Sequence, residues 1–273
     1  MDTVSFDYAS DDPDEEIRIV GSCNGLICTV LYPFSVVLWN PATRKYKELP
    51  DSSGDNFSRS YGFGYDVFNE DYKVSCIDLN PAPNPVQVRI YSLRNDLWTT
   101  SEWSHGEVFD NPGVFVHGAI HWKVYSDGYS GSDWDILAQD LTTGKCSTVA
   151  LPVPRIASGS EIMLGVSGRF LCVFHDHGSY MNIWMLKEYG VKESWNIMVS
   201  FPYFFRTLHP DYIRLKLLFV SENGGILMRL GSNMIMYKPS QYHEIYPVID
   251  NIDVEATTYI ESFVSPDFEH MWS

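Results

Sequence analysis

The sequence predicts an all-β protein, a β-propeller-like ring of four-stranded antiparallel blades with about six blades in all. The first observation is a repeated unit of strand, tight turn, strand, long connection, strand, turn and strand, which occurs five times. The second is the spacing of the third strands, which recur roughly every 45–53 residues, a period typical of propeller blades. The third is an aromatic content of 15%, which favours pleated strands over helices. The third-strand positions that define the repeat are Trp39, Tyr91, Gln139, Trp184 and Tyr237.

The five units follow one another along the chain. Unit one covers residues 17–50, and its first hairpin turns at Asn24 and Gly25, residue types that tolerate the positive φ angles of a two-residue turn. The other units cover residues 60–100, 114–152, 162–201 and 215–248. Residues 185–195 form the only stretch compatible with a helix, and we expect strand, wide turn and strand there instead.

Two strand-like segments remain outside the five units, residues 4–8 (VSFDY) and 258–263 (TYIESF). Neither can bury a face alone. Placed side by side, they would form a composite closing blade that removes the exposed edges of an open array. Six blades are therefore the first choice, with five or seven as alternatives. Because no long Gly/Ser-rich or Pro-rich linker occurs, residues 1–273 are interpreted as a single domain.

The charge and the cysteines restrict the partners and the compartment. A net charge of −16 disfavours nucleic acid and membranes, because both are bound through Lys and Arg, whereas a basic target protein would be steered towards such a surface. No run approaches the roughly 20 apolar residues that span a bilayer, and the N-terminus lacks the features of a secretory signal. An odd number of scattered cysteines indicates thiols in a reducing compartment, hence a cytoplasmic or nuclear location. These are Cys23, Cys28, Cys76, Cys146 and Cys172.

The long connections are expected to share one end of the ring. In a four-stranded meander, the second-to-third and blade-to-blade connections lie together, and loops of such length are often functional. Here they carry aromatic, histidine and arginine side chains, of which Trp, Tyr and Arg are enriched at protein–protein hot spots. The predicted protein-binding residues are Trp103, His105, Tyr125, Tyr129, Trp134, His175, His177, Tyr203, Phe204, Phe205 and Arg206.

The sequence offers weak evidence for catalysis. His117 and His121 have the spacing of a helical metal pair, but they span a predicted β-turn, so their imidazoles should not converge. His175 and His177 have no third ligand identified by the sequence. No nucleophile elbow, phosphate loop or Cys–His arrangement occurs. We therefore expect a protein that is not an enzyme and that holds no cofactor or metal.

Several short phrases occur together in one order and resemble the F-box-associated interaction domain of plant F-box proteins, the kelch-like group that includes pollen S-locus F-box relatives. They cover nearly the whole chain. The phrases are residues 21–27 (GSCNGLI), 38–45 (LWNPATRK), 61–65 (YGFGY), 71–74 (DYKV), 88–93 (VRIYSL) with Trp98, 118–122 (GAIHW), 184–191 (WMLKEYGV) and 259–264 (YIESFV).

The resemblance implies the substrate-recognition part of an SCF-type (Skp–cullin–F-box) E3 ubiquitin ligase, which captures a protein for ubiquitination. In that family a small helical F-box docks on a Skp-type adaptor, and the propeller-like domain binds the target. This sequence contains no F-box, so the adaptor and the cullin are expected partners only if an F-box lies in the full-length protein. The resemblance identifies no binding residues.

Two alternatives remain open from the sequence. The first is a binding protein without an F-box that competes with full-length relatives. The second is a propeller-fold glycan hydrolase, which would need two carboxyl groups roughly 5–10 Å apart in a deep central cleft. A small ligand in the central channel is a third possibility.

Overall fold

The computed structural model describes fourteen stretches of the chain. They are residues 17–31, 35–52, 58–80, 86–103, 108, 111–125, 134–151, 162–176, 180–202, 215–220, 225–230, 233–238, 241–247 and 256–267.

These residues form five four-stranded sheets, the blades of the ring. Blade one contains β1 (Ile17–Cys23), β2 (Leu26–Leu31), β3 (Ser35–Asn40) and β4 (Lys45–Glu48). Blade two contains β5 (Ser58–Asp66), β6 (Asp71–Asn80), β7 (Val86–Ser92) and β8 (Leu97–Trp103). Blade three contains β9 (Val114–Val116), β10 (Ala119–Tyr125), β11 (Trp134–Asp140) and β12 (Cys146–Val149). Blade four contains β13 (Ile162–Ser167), β14 (Phe170–Asp176), β15 (Tyr180–Leu186) and β16 (Trp195–Pro202). Blade five contains β17 (Leu215–Val220), β18 (Ile226–Leu230), β19 (Asn233–Lys238) and β20 (Gln241–Pro247).

Each blade is a meander in which every strand pairs antiparallel with the next one along the chain. The repeat predicted from the sequence is confirmed, because all five third-strand positions lie on the third strand of their blade. Their partners on the second strand are Ile27, Val74, Ile120, Val173 and Ile226. The segment 185–195 is also as predicted, since β15 and β16 are joined by a turn and a short 3-10 helix, Lys192–Ser194.

The first strands of the blades lie innermost, and neighbouring first strands pack against one another from β1 through β5, β9 and β13 to β17. An isolated parallel bridge joins Gly62 on β5 to Gly113, next to β9, so these two inner strands run in the same direction. The approach is close: a Cβ atom at Gly62 would lie 2.4 Å from Cγ2 of Ile120. The glycine in the phrase YGFGY therefore allows blade three to pack directly on the backbone of blade two.

The hydrophobic core is divided into layers between adjacent blades. Val20 and Leu38 of blade one pack with Phe63 and Val74 of blade two. Equivalent clusters join blades two and three, three and four, and four and five. Because the blades are apolar on their packed faces, their inner strands read as apolar runs, whereas β4 and β8 are largely exposed.

Residues 256–267 lie between blade five and blade one. The Thr258 hydroxyl donates to the carbonyl of Leu218 on β17 (3.1 Å), and the Ser22 hydroxyl on β1 donates to the carbonyl of Thr258 (2.5 Å). The fold class is confirmed as an all-β propeller ring, with five blades among the described residues. The predicted strand at residues 258–263 is wrong, because the segment is irregular and is held by side-chain hydrogen bonds rather than a ladder. Its predicted partner, residues 4–8, lies outside the described residues.

Residues near Asn24 and Asn40 bind the closing segment, residues 256–267, to blade one. The buried Asn40 amide donates to the carbonyls of Ser262 (2.9 Å) and Val264 (2.6 Å), while its side-chain oxygen accepts from the Ala42 backbone N–H (2.9 Å). Gly25 has a φ of +90°, and a Cβ atom there would lie 2.0 Å from the Ser262 hydroxyl oxygen. The glycine therefore serves both the turn and the packing of the closing segment.

We expect Asn40→Asp to lower the free energy of unfolding by about 1–3 kcal/mol, because the carboxylate keeps the turn acceptor but loses both donors to the buried carbonyls. Denaturant unfolding would measure the change. Asn95→Asp, at an exposed turn, is the matched control and should have little effect. Equal stability of Asn40→Asp and wild type would show that this contact does not close the ring.

Candidate protein-binding face

The meander places two kinds of connection at opposite ends of the ring. The inner strands lead away from the blade-to-blade connections towards the first tight turns, where Asn24, His117 and Gly168 have positive φ angles. The other end is named here the long-connection end. It contains the second-to-third and blade-to-blade connections around residues 32–34, 49–57, 81–85, 104–113, 126–133, 150–161, 177–179, 203–214 and 231–232.

Four of the eleven predicted binding residues belong to the described strands, and all four are strand residues rather than the loop residues that the sequence predicted. Trp103 ends β8 and is half-buried; Tyr125 ends β10, directly paired with Trp134, which begins β11; and His175 lies on β14. The ladders continue further than the turn-forming residues suggested, so the loops are shorter. The side chain of Tyr125 is not described. The remaining predictions lie outside the described residues: His105, Tyr129, His177, Tyr203, Phe204, Phe205 and Arg206.

Two of the four described positions are buried, which corrects their assignment to an exposed surface. Trp134 is 9% exposed and packs in the layer between blades three and four. His175 is 4% exposed and pairs with Asn182 on the neighbouring strand. Both side chains are therefore part of the buried interior at this end of the ring. Trp134 also lies close to a partly buried cation, since the Lys123 Nζ atom lies 6.0 Å from its ring centroid.

Tyr180 is a candidate contact residue that sequence reasoning missed. It begins β15 at the long-connection end, pairs with Pro202, and is 54% exposed. An exposed tyrosine at such a position has the amphipathic character common at protein interfaces. Its position directly after the connection 177–179 was the one feature of the sequence that could have identified it.

A buried ionic cluster supports the same end of blade two. Asp78 lies on β6 and is 3% exposed. Both guanidinium nitrogens of Arg89 donate to it (2.7 and 2.8 Å), and Arg59 Nε donates at 3.3 Å. The hydrogen bonds that Arg89 donates to Asp78 raise the pKa of Arg89. The cluster therefore joins three adjacent strands of blade two, β5, β6 and β7.

His117 and His121, which have the spacing of a helical metal pair, lie towards the end with the tight turns, and their side chains have different surroundings. His121 is fully buried, with Nδ1 3.2 Å from the Val114 carbonyl and Nε2 2.7 Å from the Tyr189 hydroxyl. The carbonyl can only accept, so Nδ1 carries the proton of the neutral ring and Nε2 accepts. His117 is exposed in the turn and packs on the Tyr189 ring at 4.9 Å. Within the described residues, no group of three His, Cys, Asp or Glu side chains could hold a metal ion.

The inner strands surround a central cavity of about 940 Å³. None of the described residues that line it is Asp or Glu, so the described lining lacks the carboxylate pair that a glycan hydrolase requires. Its charged members are instead basic: Arg18, Lys123, Arg169, Lys216 and Arg229.

The five cysteines are free thiols, and Cys28, Cys76 and Cys172 are buried. Burial raises the pKa of the Cys76 thiol to about 11, which makes it a poor nucleophile. In the part of the chain that the structure describes, no helix is long and apolar enough to cross a membrane.

Comparison with solved structures shows the fold alone. The chain is similar to an α-L-arabinanase of Penicillium chrysogenum (10% identity, TM-score 0.53, 86% of this chain and 80% of that one). It is also similar to the α-L-arabinofuranosidase Arb93A of Fusarium graminearum (14% identity, TM-score 0.50, 91% and 83%). At such identities the shared architecture carries no information on activity.

Comparison with a family model shows the family, and curated proteins of that family are similar to the chain. An F-box/kelch-repeat protein of Arabidopsis thaliana is 29% identical over 262 residues, which cover 92% of this chain and 69% of that protein. The Arabidopsis thaliana F-box protein CPR1 is 28% identical over 209 residues, covering 65% of this chain and 50% of CPR1. The chain thus spans between half and about two thirds of these relatives. The F-box associated beta propeller domain family matches residues 3–264. The chain therefore belongs to the F-box associated β-propeller family.

Proposed function

We propose that this propeller is the target-binding part of an SCF-type E3 ubiquitin ligase. The observation that carries the proposal is membership of the F-box associated propeller family across residues 3–264. Where an F-box lies on the same polypeptide, it would bind a Skp-type adaptor and, through it, a cullin. The propeller would then hold a target protein while ubiquitin is transferred, in the cytoplasm or the nucleus. No catalytic step is assigned to the chain itself.

The long-connection end is the proposed site of capture. Long connections supply adaptable side chains, and the rigid ladders beneath them supply a fixed platform. At the described margin of this end, Tyr180 offers an exposed aromatic ring. The acidic chain would attract a basic target, which increases the rate of association more than the final affinity.

The proposal can be tested with a fusion of an F-box module to this chain, expressed in plant cells with the proteasome inhibited. Proteins that gain ubiquitin would be identified by mass spectrometry of ubiquitin remnants. We expect a small set of proteins to gain ubiquitin only when the propeller is present. The double variant Tyr180→Ala with Arg206→Ala should lower capture of these proteins by about 30-fold or more if the two side chains are hot spots.

Leu97→Ala is the matched control, because Leu97 is exposed at the opposite end of blade two. An unchanged ubiquitin profile with and without the propeller would contradict target capture. Equal losses in the double variant and in Leu97→Ala would contradict the proposed face. Expression of the chain without the F-box tests the competitor alternative, since a competitor should reduce ubiquitin on the same proteins.

A further inference from the structure

The central cavity differs in charge from the rest of the molecule. The chain has 35 acidic and 19 basic residues, yet all five charged residues in the described lining are basic. In a random selection from this composition, acidic side chains would dominate. The described lining of the cavity is therefore basic although the whole protein is acidic, and low-dielectric walls strengthen the field of the charges that they enclose.

Four of the five cations lie at one end of the channel. Arg18 and Lys216 are the second residues of β1 and β17, and both strands begin at the long-connection end. Arg229 on β18 lies directly opposite Lys216 in the strand pair. Lys123 lies on β10 two residues beyond His121, which pairs with the first residue of β9. Arg169 alone lies at the other end, in the turn after β13.

Three of the four cations, Arg18, Lys216 and Arg229, flank the junction between blade five and blade one. The Lys216 Nζ atom donates to the Ile19 carbonyl at 3.3 Å, so the side chain reaches from one blade to the other. Arg229 is only 5% exposed and lies directly opposite Lys216 on the paired strand. Arg18, Lys123, Lys216 and Arg229 each also have a contact within the protein. A bound anion would add to those contacts.

Size and lining restrict the ligand class. A volume of about 940 Å³ lies within the range of small-molecule sites, roughly 300–1,000 Å³. Valine and leucine side chains, including Val20, Leu164 and Leu218, line the cavity along with the cations. We propose that the channel binds a small multivalent anion, such as a phosphate ester, with its charged groups at the end formed by Arg18, Lys123, Lys216 and Arg229. Arginine forks and lysine ammonium groups are the usual partners of such groups.

Inorganic tripolyphosphate is a suitable probe, measured by titration calorimetry against the whole chain at low ionic strength. We expect saturable binding of one molecule per chain that weakens as salt is added. The double variant Arg18→Gln with Lys216→Gln should weaken binding by at least tenfold. Lys145→Gln, which removes an exposed cation outside the channel, should bind within twofold of wild type.

No saturable binding to the wild-type chain would overturn the proposal, as would equal weakening in the double variant and in Lys145→Gln. If the double variant fails to fold, the proposal is tested instead by hydrogen exchange on the wild-type chain. Tripolyphosphate should slow exchange in β1 and β17 more than sodium chloride of the same ionic strength does. Exchange that is unchanged, or slowed equally by both salts, would also overturn the proposal.

Discussion

Replacing Asp78 with asparagine is expected to lower the free energy of unfolding by about 3–5 kcal/mol, the range found when one partner of a buried ion pair is removed. Asp78 is the carboxylate between Arg59 and Arg89, and the Arg59 side chain is 3% exposed. Asparagine keeps the size of the side chain but not its charge. Two guanidinium groups would then lie close together without the charge that compensates them. Asp51, at 3.9 Å from Arg59, is largely exposed and compensates little.

Urea unfolding, followed by intrinsic tryptophan fluorescence, would measure this loss. Glu102→Gln is the matched control, because Glu102 is exposed on the same blade and makes only a long contact with Gln87 (3.4 Å). Its effect should stay within about 0.5 kcal/mol of wild type. If both variants lose the same stability, the cluster does not support blade two in the way that the distances indicate.

Acidification from pH 7 to pH 4.5 should destabilise the wild-type chain through His121. Burial lowers the pKa of this imidazole from 6.5 to about 4. A group whose pKa is depressed in the folded state binds more protons when unfolded, so stability is complete above pH 6.5 and is lost as the pH falls towards 4. At pH 4.5 the loss attributable to His121 is about 2–2.5 kcal/mol, at about 1.4 kcal/mol for each tenfold change.

The measurement is the free energy of unfolding of wild type and His121→Gln at several pH values from 7 to 4.5. The variant should be less stable at pH 7 but should have a shallower pH dependence. Asp66 does not interfere, because Lys73, Asn69 and Thr142 outweigh the effect of its burial and hold its pKa at about 2, so its contribution is lost only below about pH 4. His117→Gln is the control for an exposed imidazole. Identical slopes in His121→Gln and wild type would contradict a neutral buried His121.

The strand arrangement was predictable because it depends on local patterns. Apolar strands separated by turn residues such as Asn24 and Gly25 determine which segments pair, and all five repeats were located this way. The strand ends were less predictable. Tyr125 and Trp134 continue their ladder past the point where glycine and serine suggested a loop, because pairing between two strands is decided by both of them.

The candidate site was predictable only as a region. The meander order places the long connections at one end, whatever the side chains are. The burial of Trp134 and His175 could not be read from residue type, since tryptophan and histidine occur both in cores and at interfaces. Tyr180 was missed for the same reason. The basic lining of the channel could not be predicted from the composition, because a net charge says nothing about which charged residues the fold brings together.

The amino-acid sequence by itself determined the all-β class, the five repeated blades and the family resemblance, because each depends on short-range order along the chain. Only the tertiary structure decided how residues 256–267 meet β1 and β17, which aromatic rings are buried, and where Arg18, Lys123, Lys216 and Arg229 lie around one channel. The physical reason is that these features bring together strands from different blades, and the residues in contact are up to 236 positions apart in sequence.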